Sequence, residues 1–395
     1  MKIGRMPPLA VLVICQALWT SAGAIILSLS GIVGDQLSTS KMLSTLPFAL
    51  MLVSSSISSV PASWLMYRKG RRAGFIVGAL FGCLSGVVSA FALYYESFTL
   101  FCVGLVLWGV TWACAQFLRY AASETVSSEM AGRAVSTVLA GSIVGVFTGS
   151  SIAVTARDLI STKPYVGSYL AISCVCAVSL VVLLALQMAK PNPSPRNEAK
   201  AGPGIALRPP ITAAFVNGVV GSLVMVFLMT AAPLAMVHMG HSATDAVGAI
   251  RWHLIGMYVP SFFTGILVDR YGDVRIMLVG IALLLASAIV SLSGTSMHHF
   301  SISLLVLGVG WNFMIVTSTI LLSAPKDSAE RAKVQGASEV MTHAGVATVA
   351  LLAGGLFAAT GWDIVNLAPL PLLLLSVAAT LRFALSKRRS SAIPT

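Results

Sequence analysis

Charge is what this sequence has least of: Asp and Glu together number 13 among 395 residues, and all charged types make up 10%, against about 25% in an ordinary soluble domain. That scarcity excludes the two or three water-facing domains that the length would otherwise suggest. Segments of about ten residues that alternate apolar with polar are missing, which excludes a membrane barrel. There is no Gly-x-x-x-x-Gly-Lys-[Ser/Thr] phosphate loop and no loop large enough for a nucleotide-binding domain, so this chain does not itself use ATP. It also lacks a His-Glu-x-x-His stretch, a serine elbow with acid and histidine partners, and recurring filter loops. These absences speak against a membrane-embedded enzyme and against a channel. His298 and His299, in a short loop, read as solvated, so neither metal nor cofactor is expected.

What the chain does have is 57% hydrophobic residues and a mean hydropathy of +0.90, gathered into apolar runs of about 20 residues, the length that crosses a bilayer as a helix. We place twelve such spans at about 8–31, 42–67, 73–95, 98–121, 134–156, 166–188, 211–236, 247–268, 274–294, 300–323, 334–358 and 363–385. The expected fold is therefore all-α. Met1 to Arg5 ahead of an apolar run to Ser30 resembles a signal peptide, but the run is too long for one and reads as the first span. All six cysteines fall inside apolar segments and read as small buried hydrophobes. The longest polar stretch, Lys190 to Pro210, is too rich in proline for a helix. We take 190–210 as a cytoplasmic linker between six-helix bundles at 1–189 and 211–395.

The net charge of +12 sits in short clusters between spans and forms no continuous face for nucleic acid. Counted by side, 21 Lys and Arg flank one side of the spans, and only Lys41, Arg157 and Lys163 flank the other. Positive charge is retained in the cytoplasm, so both termini and the linker are expected inside. Arg251 is left over, within the eighth span.

The two halves repeat each other. Gly104 to Trp112 in the fourth span has a counterpart in Leu304 to Trp311 of the tenth. The loop Ser63-x3-Tyr67-Arg68-Lys69-Gly70-Arg71-Arg72 aligns with Gly265-x3-Asp269-Arg270-Tyr271-Gly272-Asp273 at an offset of 202. Duplicated bundles suit alternating access, in which two bodies rock about a midplane site. With these motifs the chain resembles the major facilitator superfamily along essentially its whole length. The resemblance rests on Gly265, Asp269, Arg270 and Gly272 in the second half and on Arg68, Gly70, Arg71 and Arg72 in the first. It implies that both loops take part in gating. The first-half copy departs from the pattern, with Ser63 where Gly is expected and Tyr67 where Asp is expected, which weakens the case for an inner lock between the second and eleventh spans. Gly141, Gly145 and Gly149 in the fifth span lie near one helix face and read as a close-packing stripe.

An ionisable side chain inside hydrocarbon is costly, which makes each one a functional candidate. Arg119, near the inner end of the fourth span, either snorkels or lines a cavity. Arg251 and His253 in the eighth span are candidates for proton coupling, or for an interfacial anchor beside Trp252. Glu339 and His343, four apart in the eleventh span, fall on one face within hydrogen-bonding reach of each other and could pass a proton. The alternative is that Glu339 stabilises the helix start and His343 packs.

The resemblance also implies a central cavity on the first, fourth, seventh and tenth spans. These carry Gln16, Trp19, Trp112, Gln116, Asn217, Trp311 and Asn312. Two indoles could flank a flat ring while the amides bond its edges, which favours a largely uncharged, aromatic solute. Ala115 to Ala122 and His253 to Gly265 look like a bacterial riboflavin-transporter-like subgroup of that family. The expectation is a non-enzymatic, monomeric carrier in the bacterial inner membrane. It would import riboflavin or a similar vitamin, as a facilitator or coupled to protons. The alternative is a proton antiporter exporting drugs, metabolites or siderophores.

Overall fold

The computed structural model describes residues 6–38, 43–44, 46–160, 162–188, 208–325 and 327–391, and nearly all of them are helical. Met1 to Arg5, Lys41 and most of the 190–210 linker lie outside the described residues. The helices are α1 (Pro8–Leu37), α2 (Leu46–Lys69), α3 (Arg71–Tyr94), α4 (Phe98–Gln116), α5 (Leu118–Ser123), α6 (Ala131–Thr155) and α7 (Val166–Leu184). The second half holds α8 (Pro209–His238), α9 (Ala243–Tyr258), α10 (Thr264–Tyr271), α11 (Asp273–Leu292), α12 (Met297–Ser323), α13 (Ser328–Leu367) and α14 (Leu370–Ser391). Pro8 and Pro209 stand at helix starts, where the missing N–H leaves nothing unpaired.

Ten segments among the described residues are long and apolar enough to cross a membrane, and the tenth, Ser328–Arg389, holds both α13 and α14. The 243–271 stretch falls outside that count because a 3-10 turn at Val259–Phe262, carrying Pro260, divides it into α9 and α10. Between ten and twelve crossings follow, depending on how the broken helices are counted, in the all-α architecture expected. Two other spans are interrupted. Phe117 separates α4 from α5, and Gly361 leaves helical geometry near the end of α13.

The chain forms two compact units: Met1–Thr125 with Thr137–Glu198 and Asp327–Ala344, and Val126–Ser136 with Ala199–Lys326 and Gly345–Thr395. In the first, α4 packs against α2 and α3, and α7 against α3 and α1. Lipid tails are as apolar as Leu, so helices in a bilayer associate by close packing, which small residues permit. Gly141, Gly145 and Gly149 of α6 do this against α1: a Cβ at each would stand 2.9, 2.5 and 2.1 Å from the backbone oxygens of Val13, Ala17 and Ser21. The opposite condition holds along α2, where Val53, Ile57, Val60 and Trp64 form an exposed apolar stripe of the kind that faces lipid.

In the second unit α12 lies at the centre, against α8, α9 and α11. Its core includes Phe227, Leu284, Phe300, Leu304 and Trp362. Gly70 and Gly272, the repeat-related loop glycines, start α3 and α11 with nearly the same backbone: φ 91°, ψ 159° and φ 86°, ψ 152°. Only glycine reaches that region without strain.

Candidate functional site

The first unit buries a charged network. The interruption at Phe117 breaks the regular turn, and the neighbours Arg119 and Tyr120 both reach one oxygen of Glu339. Arg119 Nη2 lies 2.5 Å from Glu339 Oε1 and Tyr120 Oη donates to the same atom at 2.9 Å. The Arg119 guanidinium also stands over the Tyr120 ring at 5.1 Å. Arg119 is 7% exposed and Glu339 1%, so this cation does not snorkel to solvent. A carboxylate so buried is tolerable only with opposite charge and hydrogen bonds around it, which is what Arg119 and Tyr120 supply.

Glu339 and His343 stand one turn apart on α13, as their spacing implies. The carboxylate turns to Arg119 and Tyr120, and His343 Nδ1 lies 3.3 Å from Ser59 Oγ of α2. The cation on Glu339 is Arg119, 220 residues away in sequence. Sequence reasoning missed Tyr120, although a phenol beside a charge at the end of an apolar run needs a partner.

A second polar cluster in this unit starts from Arg71. Its Nη2 and Nε donate to the two oxygens of Glu124 at 2.8 and 3.1 Å, and Nη2 also donates to Gln335 at 2.7 Å. Arg331 approaches the same carboxylate at 3.6 Å. Burial works against charge on Glu124, but the arginines win and hold its carboxyl below the usual range. Glu124, Gln335 and Arg331 were not legible as partners from local spacing.

Around the two related loops the halves differ. In the second unit Asp269 pairs with Arg133 at 3.2 Å. The Gly265 N–H donates to Ser136 at 2.8 Å, and a Cβ at Gly265 would stand 2.2 Å from the Gly132 oxygen. In the first unit Ser63 occupies the corresponding place and donates to the Ala332 carbonyl at 2.8 Å. Tyr67, in place of Asp, is buried with no partner for its hydroxyl. Arg68 and Arg270 stand over Trp64 and Tyr271, each at 5.4 Å, and Arg72 is exposed.

The amides and indoles separate by environment. Gln16 is half-buried and donates to Ser142 at 2.8 Å. Trp19 is 2% exposed, with its N–H on Ser179 at 2.9 Å and Phe75 edge-on, so it ties α1 to α7 within the core. Trp112 is half-buried against Gly23, and Gln116 is half-buried. In the second unit Trp311 donates to Ser222 at 3.3 Å. Asn217 donates to Ala213 and Thr380 while its Oδ1 lacks a partner. Asn312 is fully engaged: it donates to the Met257 carbonyl and Ser261 and accepts from Thr264, stitching the break between α9 and α10. His253 is buried on the Leu304 carbonyl at 2.8 Å with Nε2 unpartnered, and Arg251 and Trp252 are exposed together. Among the described residues no group of three His, Cys, Asp or Glu could hold a metal.

Comparison with known proteins follows the same lines. The riboflavin transporter RfnT of Brucella anthropi is 35% identical over 370 residues, 93% of each chain. The uncharacterised MFS-type transporter YddS of Bacillus subtilis is 28% identical over 84% of this chain and 81% of its own. Among solved structures, FucP in its outward conformation superposes with a TM-score of 0.75 at 16% identity, over 96% of this chain and 99% of that one. The human organic anion transporter MFSD10 gives 0.74 at 12%, over 96% and 100%. These last likenesses are of fold alone. A sequence model of the Major Facilitator Superfamily matches residues 9–259 and 249–395. Matched over nearly its full length and folded as those transporters are, the chain belongs to the Major Facilitator Superfamily.

Proposed function

We propose that this chain imports riboflavin, or a flat aromatic vitamin much like it, across a bacterial inner membrane. That it is a multi-pass membrane transporter of a small molecule, and not an enzyme, follows from the family. The solute is our reading, and the observation that carries it is the 35% identity, over 93% of both chains, to a riboflavin transporter. The residues suit the assignment. Trp112 and Trp311 come from related helices and offer indole faces to an aromatic ring, while Gln16, Gln116 and Asn217 offer amides to its edges.

In this reading the bundles 1–189 and 211–395 alternate access about the linker, with both termini in the cytoplasm, and a single chain suffices. Glu339 is the proton site, paired with Arg119 and hydrogen-bonded by Tyr120, and it lets these partners go when it takes a proton. His343, one turn on, and the buried His253 are second carriers.

The test is uptake of labelled riboflavin by a riboflavin-auxotrophic bacterium expressing the chain, with and without a protonophore. Saturable uptake that the protonophore abolishes supports the proposal. Chain present in the membrane with no uptake overturns the vitamin reading, and uptake indifferent to the protonophore overturns proton coupling.

A further inference from the structure

Trp19 and Trp311 are each held by a hydrogen bond from the indole N–H, to Ser179 and to Ser222. Trp112 has no such partner among the described residues. What seats its ring is the missing side chain of Gly23 on α1. A Cβ there would stand 3.0 Å from Trp112 Cζ3, 3.7 Å from its Cε3 and 3.8 Å from Trp108 Cζ2, so the six-membered ring of Trp112 lies against bare backbone. The glycines of α6 meet main-chain oxygens of α1 and serve helix packing, whereas Gly23 meets a ring. Trp108 is 1% exposed and has nowhere to go, but Trp112 is half-buried and has open space to move into.

Polar groups mark that space as different from the lipid side of the unit. Gln116 follows Trp112 by one turn of α4. On α1, Thr20 and Gln16 precede Gly23 by three and seven residues and so share its face. Gln16 and Gln116 are both half-buried. An amide open to lipid tails is costly, and the exposed stripe of Val53, Ile57, Val60 and Trp64 on α2 contains none.

We infer that Gly23 is a positioning residue for the solute: by leaving room for the indole, it sets how far the face of Trp112 stands out from α1, and so where a flat ring can lie on it. The inference rests on the reading of Trp112 as a stacking surface. Any Cβ at position 23 displaces the ring by a few tenths of an ångström toward the open side, which spoils the contact distance on which ring stacking depends. Helix α1 itself tolerates the change, because alanine is a better helix former than glycine.

The test places the full chain in nanodiscs, where lipid covers the outer faces, and measures acrylamide quenching of tryptophan fluorescence beside riboflavin uptake in cells. The share due to Trp112 is the difference between a chain and its Trp112→Phe counterpart. Gly23→Ala and Gly23→Ser add the same Cβ, and each should make that share more accessible to acrylamide. Each should also raise KM for riboflavin several-fold, with Vmax per folded molecule kept and the thermal midpoint not lowered. In the Trp112→Phe background, whose smaller ring leaves room, Gly23→Ala should shift KM less than it does in wild type. An unchanged Trp112 share, or an unchanged KM, in folded Gly23→Ala overturns the inference. A thermal midpoint lowered in both variants overturns it too, since Gly23 would then serve packing alone. If wild type takes up no riboflavin, the vitamin reading fails and the quenching arm decides alone: a more accessible Trp112 in Gly23→Ala supports the seat, and an unchanged one overturns it.

Discussion

Arg119 and Glu339 lie 220 positions apart in sequence and meet at 2.5 Å inside the first unit, both almost wholly shielded from solvent. Removing one partner strands the other's charge, whereas removing both leaves no charge to strand. Arg119→Leu is therefore expected to cost about 3 kcal/mol or more, and Arg119→Leu with Glu339→Leu less than the single change. Thermal unfolding of the purified variants in detergent gives the cycle, and a double variant weaker than either single would refute the pairing as a stabilising unit.

For transport, Glu339→Gln keeps the shape and removes the titratable proton. If Glu339 couples uptake to protons, this variant should still exchange labelled solute across the membrane but no longer concentrate it. Accumulation at the wild-type level would assign coupling elsewhere.

The two indoles should part company. Trp19 is core, bonded to Ser179, and Trp19→Ala is expected to cost about 3–5 kcal/mol and to reduce the amount of folded chain. Trp311 is buried too and bonded to Ser222, so Trp311→Ala should also reduce folded chain, but it should lose more uptake per folded molecule than Trp19→Ala does. Counting uptake per folded molecule, by fluorescence-detected size exclusion, separates the two outcomes.

Glu124 gives a pH signature. Its carboxyl sits below its ordinary value of 4.5, because Arg71 and Arg331 outweigh burial. A depressed folded pKa means that the stabilisation is complete above about 4.5 and fades as pH falls through the lower folded value. The difference in thermal midpoint between wild type and Glu124→Gln should thus be largest near neutrality and shrink in acid. A difference that grew in acid would reverse the sign and the assignment.

Asn312→Leu removes two donors and one acceptor from the interrupted helix at Met257, Ser261 and Thr264. Stranded buried groups cost about 1–3 kcal/mol each, so a marked loss of thermal stability is expected. A neutral result would show that the break between α9 and α10 holds without this amide.

Much of this was open to reading in the residues themselves. The length of the apolar runs reveals the spans, and the 202-residue offset between Tyr67 and Asp269 reappears as the shared backbone of Gly70 and Gly272. Pro260 signals the break before α10, but Gln116-Phe117-Leu118 contains no proline or glycine, so the break there leaves no local trace. Glu339 was recognisable as a buried carboxylate in need of a partner. Helical spacing offers only near neighbours such as His343, and one sequence does not say which distant cation folds against it. Asn312 and Trp19 show the same limit: residue type suggests a ligand-binding group, while the bonds that already occupy it depend on tertiary contacts.

The three-glycine face of α6 also has a mechanical meaning. With the carbonyls of Val13, Ala17 and Ser21 filling the space where Cβ atoms would stand, the two backbones fit like teeth in a rack. Sliding α6 by one residue would drive Ala140, Val144 and Thr148, or Ser142, Val146 and Ser150, into the α1 main chain, so neither helix can creep along the other. The pair must travel as one strut, and a spectroscopic label on either reports the displacement of both.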